Sequence, residues 1–316
     1  MKKHKTFKLV LLAATAFLAF SCRTVPPQAD MESSVSLLPE GSDVIIYADI
    51  RTNTELFEPV LEMLQGLPPK LTKEFLERTE VVWAGLDFDT RNSEDDSWMP
   101  VPTFKSSIVA KGDYPASTVE WGLRFERNWK KEDYNPLPDM RSNVPYWYEK
   151  EGENQIVMPN DQYLMASAGE IKEMIGLWAA GTAMPADGAW INAEKSADLV
   201  ILTRNLVAED YGKFIPQFSR VPLESLLIKL NRKGADYEIS GRFEMENEVS
   251  SFLFATLFRT MVIAAKTETG EKLFGNPLDI SIKKDGSSVV LDGMVLPVAQ
   301  VAAVEARWLG IAGMNE

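Results

Sequence analysis

Between Asp236 and Glu246 the chain alternates with period two. Tyr237, Ile239, Gly241, Phe243 and Met245 are apolar or small, and Asp236, Glu238, Ser240, Arg242, Glu244 and Glu246 are polar. Successive side chains leave opposite sides of a pleated backbone, so a strand written this way has one face for a core and one for water. That pattern suits an antiparallel sheet with helices on one side; the strands of a doubly wound parallel fold are buried on both faces and lack it. The expected class is therefore α+β.

Other segments fill in the order. A strand begins at Asp43, and Leu56, Val60, Leu61 and Leu64 follow at helical spacing. Glu80–Asp89 and Phe104–Lys111 read as a strand pair, and a helix opening near Ser117 is expected to carry Val119, Leu123 and Trp129. Short strands at Val144–Glu149, Gln155–Met158 and Tyr163–Ser167 lead to a helix over Glu170–Trp178. The second half repeats this sequence of elements: a strand at Ala197–Thr203, a helix at Glu209–Phe218, and strands at Leu226–Arg232 and Asp236–Glu246. A long helix from Glu248 to about Lys266, a hairpin turning at Asp285-Gly286 and a last helix at Pro297–Trp308 complete it. The expectation is two similar β-α-β-β-α-β-β-α repeats with mainly antiparallel sheets and helices packed on one face. The first repeat spans 37–180 and the second 197–316, joined by a Gly/Pro/Ala-rich linker at 181–196.

The start of the chain has a different character. Lys2, Lys3, Lys5 and Lys8 precede an apolar run from Leu9 to Phe20, and Ser21 is followed by Cys22, the only cysteine. Positive residues, an apolar stretch and a small residue before the cut site make an export signal. The arrangement resembles the lipobox of bacterial lipoproteins, in the relaxed form common among spirochaetes, with Ala19 and Phe20 where the box is usually stricter. The resemblance implies cleavage after residue 21 and acyl chains on Cys22. Residues 22–36, with their Pro, Ser and charges, would then be a tether from the bilayer. It implies nothing about the remaining residues.

Four of the 33 Lys and Arg lie in the leader, leaving 29 against 46 acids and a net charge of −17. A body that acidic repels nucleic acid and anionic headgroups, so the acyl chains on Cys22 are the expected membrane attachment. The sole histidine, His4, is also in the leader. Without imidazole or free thiol, histidine-dependent nucleophiles and His/Cys metal sites lack their groups, and no phosphate-binding or dinucleotide glycine pattern is present. No cofactor and no metal is expected. The acid-rich stretch from Asp87 to Asp96 has no glycine at the sixth position and Trp98 where a bidentate acid belongs, so it reads as a solvated loop.

Two features exceed what a core needs. Tyr146, Trp147 and Tyr148 bring three rings together in one strand, and the 249–263 segment, with Phe254 and Phe258 at its centre, is apolar around more than one face. These five residues are the candidate ligand or partner surface. The expected role is non-catalytic binding or assembly by a lipid-anchored protein of the bacterial cell envelope, with an envelope protein or glycan as partner. The alternative is a carboxylate-dependent glycan hydrolase, with Asp49, Asp87 and Asp89 as its nameable acids. Metabolic labelling with a palmitate analogue is expected to mark the natural chain and to leave Cys22→Ala unmarked. Labelling that survives the substitution would contradict the lipobox reading.

Overall fold

A computed structural model of the chain describes residues 34–39, 41–54, 76–89, 103–115, 120, 123–124, 128–136, 143–150, 154–180, 188–204, 221–265, 270, 272–274 and 276–301. The expected helices at 56–64 and 209–218 and most of the last one lie outside these residues, as do the signal segment, Cys22 and the acidic loop after Asp89. The described strands are Val44–Asp49 (β1), Thr79–Asp89 (β2), Thr103–Gly112 (β3), Trp129–Tyr134 (β4), Val144–Glu149 (β5), Asn154–Asn160 (β6) and Tyr163–Ala168 (β7). They continue with Leu199–Thr203 (β8), Leu223–Lys233 (β9), Asp236–Met245 (β10), Ser281–Asp285 (β11) and Ser288–Pro297 (β12). The helices described in full are Ile171–Ala180 (α1), Gly188–Glu194 (α2) and Glu248–Ala264 (α3), and a 3-10 turn spans Ser34–Leu37.

The chain forms two compact units. One comprises Met1–Ser42, Tyr47–Asp87 and Lys105–Ile191; the other comprises Asp43–Ile46, Phe88–Phe104 and Asn192–Glu316. In the first, which holds β1 only from Tyr47 onward while its first half belongs to the second, the strands hydrogen-bond in the order β1-β2-β3-β7-β6-β5-β4. In the second the order is β8-β9-β10-β12-β11. Each begins with three strands in chain order and then takes a later hairpin in reverse, β7-β6 in one and β12-β11 in the other. The first unit alone extends further, by the hairpin β5-β4. The pairings β3–β7, β4–β5, β5–β6, β6–β7, β8–β9, β9–β10, β10–β12 and β11–β12 are antiparallel, which gives a broadly α+β fold.

The period-two reading of β10 holds residue by residue. Tyr237, Ile239, Gly241, Phe243 and Met245 are buried and the intervening residues are not. Register then carries the apolar face across the sheet: Tyr237 opposes Leu296, Ile239 opposes Met294 and Phe243 opposes Val289. Between Ile239 and Gly241 the β10–β12 register shifts, because β12 carries an extra residue at Asp292-Gly293. Gly293 has φ +74° and a Cβ there would stand 2.7 Å from the Asp279 carbonyl, so this bulge requires glycine.

Three differences from the sequence reading have physical causes. Trp129 opens β4 rather than closing a helix; it pairs with Glu149 and is buried, while Lys130 to Asp133 stay exposed. That run of charges hides a strand because β4 is an edge, where charged side chains prevent pairing with other chains. The other unit's edge, β11, carries Lys283-Lys284 for the same reason. Second, the expected linker contains α2, whose Trp190 is 2 % exposed. Third, the packed chain starts ahead of the expected tether end: Ser36 and Leu37 are buried in the 3-10 turn, which packs against α1.

Candidate functional site

Helix α3 is fixed at both ends and along one side. Asn247, in extended conformation, caps its start: Oδ1 accepts from the Val249 and Ser250 amides at 3.1 and 2.9 Å. Ser251 Oγ donates to the Gly286 carbonyl at 3.0 Å, tying the first turn to the β11–β12 hairpin. Glu248 pairs with Lys284 at 2.9 Å, and that hydrogen bond holds the Glu248 carboxyl below its usual pKa. Arg259 reaches down to donate to the Ile282 carbonyl. At the far end the Ala265 amide donates to the Met261 carbonyl.

The inward side is set by Phe254 and Phe258, with ring centroids 5.6 Å apart and each within 5.5 Å of Phe243 on β10. Such clustered rings contribute beyond their buried area, by about 0.5–1.5 kcal/mol per pair. Phe254 and Phe258 are 3 % and 8 % exposed. They belong to the core of the second unit, which corrects the expectation that they face a partner. The apolar excess of this helix points the other way: Val249, Phe252, Leu253, Leu257 and Ile263 are 70, 62, 49, 38 and 56 % exposed. The two hydroxyls between them are turned onto their own helix, Thr256 to the Phe252 carbonyl and Thr260 to the Thr256 carbonyl. The outer face therefore offers water large apolar groups and little hydrogen-bonding capacity.

The aromatic strand β5 splits as its geometry requires. Tyr146 and Tyr148 share one face, their rings 6.2 Å apart, and Trp147 takes the other. Tyr146 is buried, its hydroxyl donating to Glu132 at 2.5 Å. Burial first, then that hydrogen bond, push its pKa up. Lys172 of α1 lies 5.8 Å from the Tyr134 ring and 5.6 Å from the Tyr146 ring, and 3.8 Å from Glu132. This cluster fastens the edge hairpin to α1 and shields Tyr146, so the strand does not present three free rings. Tyr148 remains half-buried. Trp147 sits in the core cluster with Tyr114, Leu123, Trp129 and Ile156. It also lines a narrow cleft with Glu120, Leu123, Pro145, Ile156 and Met158.

The acids named from the sequence are not gathered into this cleft. Asp49 caps a helical turn, Oδ1 accepting from the Arg51 and Thr52 amides, and Asp87 is exposed near the end of β2. The side chain of Asp89 lies outside the described residues. Among those described, the carboxyl raised above its usual pKa is Glu170, which sequence reasoning missed. Its burial dominates, opposed by Lys105 and reinforced by Glu173 and Asp87. It accepts from Ser107 Oγ beside the Ser107–Ser167 pair that joins β3 to β7. Nothing in its local sequence marks it, because Lys105, Asp87 and Ser107, which act on it, come from strands distant along the chain.

No protein-family model matches the chain, and no curated protein matches it in sequence. Solved structures do. One crystal form of TP0453, a treponemal protein, superposes with TM-score 0.58 at 13 % identity, covering 86 % of this chain and 97 % of that one. A second gives TM-score 0.58 at 14 % identity over 89 % and 98 %, and a third 0.56 at 13 % over 86 % and 95 %. The chain shares its fold with TP0453. At such low identity the likeness to TP0453 extends to the fold and not to residue roles.

The two sides of α3 are expected to respond differently to substitution. Phe254→Ala removes a buried ring worth about 3–5 kcal/mol and should lower the melting temperature by roughly 10 °C. Phe252→Ser, on the outer face, should shift it by about 2 °C or less. Calorimetry on both variants checks this; equal losses would mean that Phe252 is also core.

Proposed function

We propose that this protein is a lipid-anchored component of the bacterial cell envelope with a non-catalytic binding or assembly role, and that the outer face of α3 is its contact surface. The observation that carries the reading is the row of exposed apolar side chains on a helix already anchored by its opposite face. A helix that needed only to close the core would be polar outside. Interface energy concentrates in large apolar side chains of this kind when they fill a complementary surface. Attachment through Cys22 rests on the leader and its lipobox. The fold shared with a treponemal protein is compatible with an envelope role. Among the described residues no helix is long and apolar enough to cross a membrane.

We also read the two units as duplicates of one ancestral element set. The matching strand orders support this, as does the position of the β12–β11 and β7–β6 hairpins beside the third strand of each set. On this reading β4–β5 is an addition to the first copy, and α3 occupies the chain interval in the second that the added hairpin shares in the first. The function reading is tested by crosslinking in native envelopes. The double variant Phe252→Ser, Leu253→Ser is expected to lose recovery of the crosslinked partner while its melting temperature stays within a few degrees of the parent. Full recovery from that variant would remove α3 as the contact surface.

A further inference from the structure

Along α3 the residues Val249, Leu253, Thr256, Thr260 and Ile263 recur at steps of four, three, four and three, the spacing of a coiled-coil seam. All five are exposed, and Phe252 and Leu257 flank them. The row is nearly symmetric about Thr256, because Val249 stands seven positions before it and Ile263 seven after. A second α3 laid antiparallel over the first therefore sets Val249 against Ile263, Leu253 against Thr260 and Thr256 against its own copy. Small residues at the crossing let the backbones approach, and both threonine hydroxyls are already bonded to their own helix.

Charge selects the same arrangement. After Glu248 the helix has no acid as far as Ala264, and its single cation, Arg259, is turned to the Ile282 carbonyl. On so acidic a chain this is a face that two copies can share without like charges meeting. Its ends carry opposite charges: Glu248 at the start and, at the far end, Lys272, whose Nζ donates to the Ile263 carbonyl at 3.3 Å. Antiparallel packing brings Glu248 of one copy towards Lys272 of the other and opposes the two helix dipoles. A helix that lies in a bilayer surface carries Lys and Arg along its polar side, which α3 lacks.

We infer that the outer face of α3 packs antiparallel on a second copy of this chain, about a two-fold axis at Thr256. The pairing rests on the reading of that face as the contact surface and names its occupant. Seventeen residues give a face about 25 Å long and about 10 Å wide. That is well short of the roughly 800 Å² each partner gives to a stable complex, so the pair is weak in dilute solution. It forms where the anchor on Cys22 concentrates copies in one plane.

The test is disulfide crosslinking in intact envelopes with copper phenanthroline as oxidant, using single cysteines in the otherwise native, acylated chain. Thr256→Cys is expected to give a band of twice the monomer mass. Val249→Cys alone is expected to give none, because its two copies stand about 21 Å apart along the helices, against a limit of roughly 7 Å between the Cα atoms of a disulfide. Co-expressed Val249→Cys and Ile263→Cys chains are expected to crosslink to each other. Adding Leu253→Ser to Thr256→Cys should remove most of the band while the melting temperature stays within a few degrees of the parent. A strong Val249→Cys self-band would overturn the antiparallel register. No band at 256, with thiol labelling at 252 and 253 still blocked in envelopes, would overturn the second copy and leave α3 as the surface for another partner. That partner is the bilayer if vesicles of phosphatidylcholine and phosphatidylglycerol block the same labelling of the purified protein, and a different protein if they do not. Labelling at 252 and 253 that is not blocked in envelopes would overturn the contact-surface reading itself.

Discussion

The second unit depends on the contact between three phenylalanines, Phe243 on β10 and Phe254 and Phe258 on α3, because that contact decides which side of the helix meets the sheet. The strand supplies one ring by strict alternation, and the helix supplies two by four-residue spacing. Both periodicities are properties of the backbone. Once the rings meet, the orientation of every other α3 side chain follows. Ser251 reaches the β11–β12 turn, Arg259 reaches Ile282, and Phe252, Leu253 and Leu257 are left outside.

How legible this was in the sequence depended on the range of the interactions involved. Strand and helix positions set by local periodicity, such as β10, β5 and α3, are readable to within a few residues. The excess apolar character of α3 was readable too, but its direction was not. Phe254 and Phe252 are equally large and two residues apart, and only the position of Phe243 in space separates core from surface. For the same reason Tyr146 looked available. Its shielding comes from Glu132 on a neighbouring strand and Lys172 on a helix about 25 residues later, which the sequence does not bring together.

Edges and buried polar groups were the least legible. β4 is a strand whose middle four residues are all charged, a composition that makes sense only for a sheet edge. Glu170 is raised by desolvation and acted on by Lys105 and Asp87 from strands distant along the chain, and the orphaned indole of Trp147 is visible only once its surroundings are. Such features are also where a fold departs from what packing alone demands.

The central claim is that α3 is anchored on one side and open on the other until a partner covers it. Outside Cys22 the chain has no cysteine, so single cysteines at 252, 253, 254 and 258 can be probed with a thiol-reactive label in the otherwise native, acylated protein. The account predicts fast labelling at 252 and 253 and slow labelling at 254 and 258 in purified protein, with 252 and 253 becoming protected in intact envelopes. Equal reactivity of 252 and 253 in both settings, or slow reaction there in the purified protein, would contradict it.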